Sequence, residues 1–231
     1  MKGERDVPKK IREDILMNIS DVIWNEIVRL RRLFGKDELA YLALTRKVEE
    51  PLRDRLAWGI HQKLRGKYFV ARDYKHEGHG EEIDIGILKK TPAKPAVSLI
   101  QMGACSIITQ VGRYPDKLID DFHIMKNFSN TRPELYFIMI ANLPLKSIPR
   151  KYDGYIRFSH AAKIRKCFQK YEVPNKMIEV AGGKWEEYLR KFKLQFRRVR
   201  IDAGKLYEIP VELVVWMVGP MRQNWKPDDR V

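Results

Sequence analysis

Two polar side chains stand inside apolar runs: Asp84 in "EIDIGIL" and Gln101 in "AVSLIQMGA". With strand alternation, Ile83, Ile85 and Ile87 share one face of the first run, and Asp84 shares the other with Gly86 and Leu88. An aspartate inside a strand is disfavoured by propensity and by burial, so Asp84 requires a partner: a basic side chain, a set of N–H donors or a metal ion. In the second run Val97, Leu99, Gln101 and Gly103 share a face, and both faces are largely apolar, as in a central strand. If the runs are neighbours in a hairpin closed by "KKTPAKP", Asp84 and Gln101 pair directly, with Cβ atoms about 5 Å apart. Two oxygen donors at that spacing suit Mg²⁺, which takes carboxylates, carbonyls and water. The structural alternative is that Asp84 caps a turn or meets a buried arginine while Gln101 bonds the backbone.

More acid lies upstream. Glu49 precedes Leu52 and Leu56 on an apolar helical stripe, and Glu50 lies one step round, near Arg53 and His61. Either glutamate could reach the polar pocket. Both also suit a helix N-terminus, where the dipole favours acids without any further role. Asp73 interrupts the preceding run, "KYFVARDYK".

The elements that must position these groups follow from periodicity. Residues 8 to 34 carry an amphipathic helical stripe, "KDELAYLALTRKV" a second helix, and Pro51 marks the restart of a third bearing Leu52, Leu56, Ile60 and Leu64. "KYFVARDYK", "EIDIGIL" and "AVSLIQMGA" read as strands, "DKLIDDFHIMKNF" as a helix opened by Pro115, and "ELYFIMIAN" as a buried strand. Residues 50 to 142 thus read α-β-β-β-α-β, a mixed α/β sheet with helices packed on it. Beyond them "SHAAKIRKCFQKY" and "GKWEEYLRKFKLQF" look helical, and "YEIPVELVVWMV" extended.

This order of elements, with "VEEPLRDRLAWGIHQKL", "VARDYKHEGHGEEIDIGI", "VSLIQMGA" and "PDKLIDDFHIMKN", resembles the PD-(D/E)XK nuclease superfamily, the restriction-endonuclease-like fold. The resemblance implies a nuclease domain over residues 49–231, with its core at 49–142 and a basic extension at 143–231, preceded by a helical arm at 1–48. It further implies Mg²⁺- or Mn²⁺-dependent cleavage of phosphodiester bonds, in DNA rather than RNA. Asp84 would match the metal-binding aspartate, Gln101 the residue opening the (E/Q)-x-K motif, Glu49 or Glu50 the helix acid, and Asp73 the acid of the first strand. A homodimer is the corresponding expectation for double-strand cleavage.

Gly103 breaks the pattern, because it stands where the motif has lysine. A metal-bound site uses that cation beside the developing negative charge, and glycine supplies no donor. Lys90 lies about 20 Å along a straight strand from Asp84 and is excluded. Arg113 and Lys117, at the start of the following helix, are placed to substitute. Cleavage at a reduced rate without the lysine, or binding without cleavage, are the other outcomes of a degenerate site.

The whole chain agrees with a polyanionic partner. Its 231 residues carry a formal net charge of +15, a field that attracts phosphate backbones. The basic stretch ending in Arg197, Arg198 and Arg200 could face phosphates, and His76 and His79 on a glycine-rich hairpin tip could touch nucleic acid. "HEGH" lacks the second ligand pair of a zinc site. Two cysteines, Cys105 and Cys167, make no disulfide framework, and no run reaches the ~20 apolar residues of a membrane span. The N-terminus lacks the apolar core of a signal peptide. These features point to a cytoplasmic protein away from membranes.

Overall fold

A six-stranded, mostly antiparallel sheet runs through the molecule in the order β1-β2-β3-β4-β6-β5, with helices on both faces. The computed structural model describes residues 18–45, 48–75, 81–105, 108–128, 132–156, 158–171, 173–221 and 224–225, apart from the side chains of residues 109, 113 and 158–160. The helices are α1 (Ile19–Arg29), α2 (Glu38–Thr45), α3 (Glu49–Leu64), α4 (Tyr114–Asn127), α5 (Phe158–Tyr171), α6 (Pro174–Met177) and α7 (Gly183–Lys191). The strands are β1 (Tyr68–Tyr74), β2 (Ile83–Lys89), β3 (Ala96–Cys105), β4 (Glu134–Pro144), β5 (Phe196–Leu206) and β6 (Ile209–Met221). The class is α+β.

β1, β2 and β3 form an antiparallel meander. β3 and β4 are parallel, so the chain must cross over between them, and α4 makes that crossover after a 3₁₀ turn over Ile108–Arg113. β6 then pairs antiparallel with β4, and β5 closes the far edge. Helices α1, α2 and α3 lie against one face, tied at one point by the Asn142 amide donating to the Ala43 carbonyl of α2 at 2.9 Å. α4 and α7 cover the other face. β4, sandwiched between the layers, is buried from Leu135 to Pro144.

Ile23, Ile27, Leu39 and Leu44 of the first two helices are fully buried in the same core as the sheet. The first 17 residues lie outside the described ones, so of the stripe expected from residue 8 only Ile19 onward is seen, and α1 gives way to a 3₁₀ turn at Leu30. The helical reading of "GKWEEYLRKFKLQF" is corrected at its end: α7 stops at Lys191, and Phe196 begins β5. Lys193 takes φ +54°, a left-handed turn that no helix continues through. Among the described residues no helix is long and apolar enough to cross a membrane.

Candidate functional site at the fork between β2 and β3

The last ladder pair joining β2 to β3 at this end is Ile85 opposite Ile100. Beyond it the strands are held by side chains. The Asp84 N–H donates to Gln101 Oε1 at 3.1 Å, and the Met102 N–H donates to Asp84 Oδ2 at 2.7 Å. Two residues on, the Ala104 N–H donates to Glu49 Oε2 at 3.2 Å. Strand N–H groups at the end of a ladder need acceptors, and these three polar side chains supply them. That is one physical reason for polar residues inside otherwise apolar runs. It also places Asp84, Gln101 and Glu49 at a single opening, with the N–H groups of Met102 and Ala104 about 7 Å apart along the strand.

Glu49 is thus the helix acid that reaches the fork, from the first turn of α3, whereas Glu50 faces solvent. One turn on, Arg53 enters the same opening. Its Nη1 lies 3.3 Å from Asp84 Oδ1 and 2.7 Å from Asp73 Oδ1, and its Nε lies 3.7 Å from Asp54 Oδ1. Desolvation works against the Arg53 charge, yet the three aspartates outweigh it and hold its pKa above the ordinary value. Asp73 reaches Arg53 from β1, where it takes φ +47°. The structural alternative for Asp84 and Gln101 is therefore present in full, as an arginine on one and the backbone on the other.

Gly103 lies on β3 between Met102 and Ala104, the two residues whose N–H groups meet the acids. A Cβ built there would lie 3.0 Å from Cε of Lys117, 3.0 Å from Cε1 of Tyr114 and 3.2 Å from Cζ of Phe137. A side chain at position 103 would thus meet all three, and of them only Lys117, which projects from α4 one turn after its start, carries a charge. The Lys117 ammonium sits 2.9 Å from Asp121 Oδ2 and 3.2 Å from its Oδ1, at the helical i,i+4 spacing. Asp121 is only 4 % exposed, and burial raises its pKa, with the Lys117 hydrogen bond and charge offsetting part of the shift and Asp84 adding to it. The Lys117 side chain itself keeps 39 % exposure, so its charge is open to solvent beside its bond to Asp121. Tyr114 is held protonated by burial first and then by Cys105, Glu49 and Asp121.

Of Arg113 only the backbone, at the end of the 3₁₀ turn, is described, and His76 and His79 lie outside the described residues. Arg197, Arg198 and Arg200 are on β5 rather than on a helix. Each is paired: Arg197 with Asp21 at 2.8 Å, Arg198 with Glu186 at 2.6 Å, and Arg200 with Glu212 at 2.6 Å. Two residues of the fork went unassigned in the sequence, Arg53 and Asp121. The signal for Asp121 was its i,i+4 spacing from Lys117 on a helix that covers the sheet.

The donor set suits a hard divalent cation in kind, because Asp84 and Glu49 offer carboxylate oxygens and Gln101 an amide oxygen. In number it is minimal. Among the described residues no three His, Cys, Asp or Glu side chains come close enough to hold a metal ion. No family model, curated protein or solved structure matches the chain.

Proposed function

We propose that this chain is a metal-dependent nuclease acting on DNA, of the restriction-like kind, in which Lys117 supplies the cation that Gly103 cannot. The observation that supports this reading is Cε of Lys117, 3.0 Å from where a Cβ at position 103 would stand. Asp84, Glu49 and Gln101 are the residues that would hold Mg²⁺ or Mn²⁺. Such an ion, when bound, polarises a phosphate and acidifies water.

The chain's own groups have distinct tasks in this reading. Lys117 places a fixed positive charge beside the reacting phosphate, where charge accumulates in the transition state. Asp121 fixes the direction of the ammonium from below. Arg53 neutralises Asp84 in the resting protein, and it has Asp73 and Asp54 as alternative partners once Asp84 engages a cation. The +15 charge draws the polyanion to the surface.

A second reading is nucleic-acid binding without cleavage, and the observation favouring it is Arg53 on Asp84 Oδ1. One experiment separates the two. Plasmid and single-stranded DNA are incubated with Mg²⁺ or Mn²⁺ and the wild-type chain or Asp84→Ala. Metal-dependent cleavage that disappears in a folded Asp84→Ala variant is the expected result. Equal cleavage by the variant would remove Asp84 from the site, and salt-sensitive binding without cleavage would establish the second reading.

A further inference from the structure

The outer face of α3 carries a second feature that the fork does not use. Trp58 is 60 % exposed, an unusual state for the largest apolar side chain. Its indole stacks on the imidazole of His61, with centroids 5.6 Å apart and planes at 21°. With Asp54, Ala57, Val70 and Arg72 the pair lines a cavity of about 380 Å³ between α3 and β1. At its rim Arg72 Nη1 meets Asp54 Oδ1 at 2.6 Å.

We propose that this pocket holds an unpaired nucleobase of a single-stranded nucleic acid, an inference that rests on nucleic acid being the substrate at the fork. The groove is open to solvent and has room for one heterocycle lying on the indole. Stacking on an indole requires only a π face and so tolerates any base. The Arg72–Asp54 pair offers donors and an acceptor to the edge of a base lying on that stack.

Position and charge agree. Asp54, in the pocket lining, lies 3.7 Å from Nε of Arg53, and Arg53 in turn meets Asp84, so one chain of contacts joins the pocket to the fork. Exposed Arg65, at the end of α3, continues the helical side that carries Asp54, Trp58 and His61, where a phosphate of a bound strand would run. A duplex keeps its bases paired and presents none to the indole. The pocket therefore selects single strands or the unpaired ends and bulges of duplexes.

The test measures binding of a labelled oligothymidylate and of a duplex of equal length by fluorescence anisotropy, in EDTA so that no cleavage takes part. Trp58→Ala should weaken single-strand binding about tenfold and leave duplex binding within about twofold. Trp58→Phe, which keeps a stacking ring, should retain most of the affinity. The slope of log affinity against log salt should not change, because no phosphate contact is lost.

Equal loss on both DNAs, no loss on either, or a wild-type chain that binds no oligothymidylate would each overturn the proposal. So would a drop in sedimentation mass on Trp58→Ala with DNA binding unchanged, which would assign the indole to self-association. The two readings fail separately. Loss of oligothymidylate affinity in Trp58→Ala alongside undiminished cleavage by Asp84→Ala would keep the pocket and discard the nuclease site, and the converse pair of results would do the reverse.

Discussion

Asp84 and Glu186 are two carboxylates of nearly equal side-chain exposure, 13 % and 11 %, in different company. Glu186, on α7, accepts from Arg190 at 2.9 Å, Arg198 at 2.6 Å and the buried indole N–H of Trp216 at 3.2 Å. Those bonds tie α7 to β5 and β6. Asp84 accepts one backbone N–H, and the arginine it meets is shared with Asp73 and Asp54. Burial alone does not distinguish a brace from a site. What distinguishes them is whether the partner has somewhere else to go: the Glu186 indole has not, and Arg53 has.

The comparison breaks most visibly under paired substitutions. Asp84→Asn, whose amide oxygen can still accept from the Met102 N–H, is expected to abolish cleavage while leaving the melting temperature within a few degrees, since about 1 kcal/mol corresponds to ~2–4 °C in a domain of this size. Glu186→Ala should do the opposite. It orphans the Trp216 N–H in the core and should cost about 2 kcal/mol, a fall of ~4–8 °C, with cleavage per folded molecule unchanged. The arginines beside Glu186 are half-exposed and add little, because solvent screens them. Thermal scans and plasmid cleavage on the same two preparations decide it.

A smaller effect sharpens the same contrast. Arg53→Ala removes the charge that competes for Asp84, so Mn²⁺ affinity measured by calorimetry should rise about two- to fivefold, the scale of a modest ion pair. Unchanged affinity would mean that Arg53 does not guard the acid.

The smallest expected effect is a pH dependence. The folded state holds the Asp121 proton more tightly than the unfolded chain does, because burial raises its pKa. Stability attributable to this group is therefore lost as pH rises from the ordinary carboxylate range through the raised value. Asp121→Asn cannot titrate. Wild-type stability should consequently gain on that of the variant as pH is lowered from neutral, as read from urea unfolding at several pH values.

Most of this arrangement was legible in the sequence. Alternation and length set β1 to β4, the α4 crossover and the hairpin register that puts Asp84 beside Gln101, because those patterns are local. The company of Asp84 was not legible as one answer. An arginine from α3 and a backbone amide on β3 satisfy it together, and whether the arginine arrives depends on the angle at which α3 meets the fork. The choice of Glu49 over Glu50 likewise turns on one step of helix rotation against the sheet. β5 was missed because "FKLQFRRVR" carries aromatic and basic residues that continue the stripe of α7, and only the left-handed turn at Lys193 breaks it. The pairing of Arg197, Arg198 and Arg200 with Asp21, Glu186 and Glu212 depends on contacts across the sheet and between layers that no local pattern encodes.

The central claim is that Lys117 stands where a lysine at position 103 would act. Its most direct test is the cleavage rate of the wild type, of Lys117→Ala, and of Lys117→Ala combined with Gly103→Lys. The single variant should lose about 10²–10³-fold, the cost of removing one charge-stabilising group. The double variant should recover part of that loss, limited by the rings of Tyr114 and Phe137 at 3.0 and 3.2 Å from the new Cβ. A Lys117→Ala variant that cleaves at the wild-type rate would contradict the account.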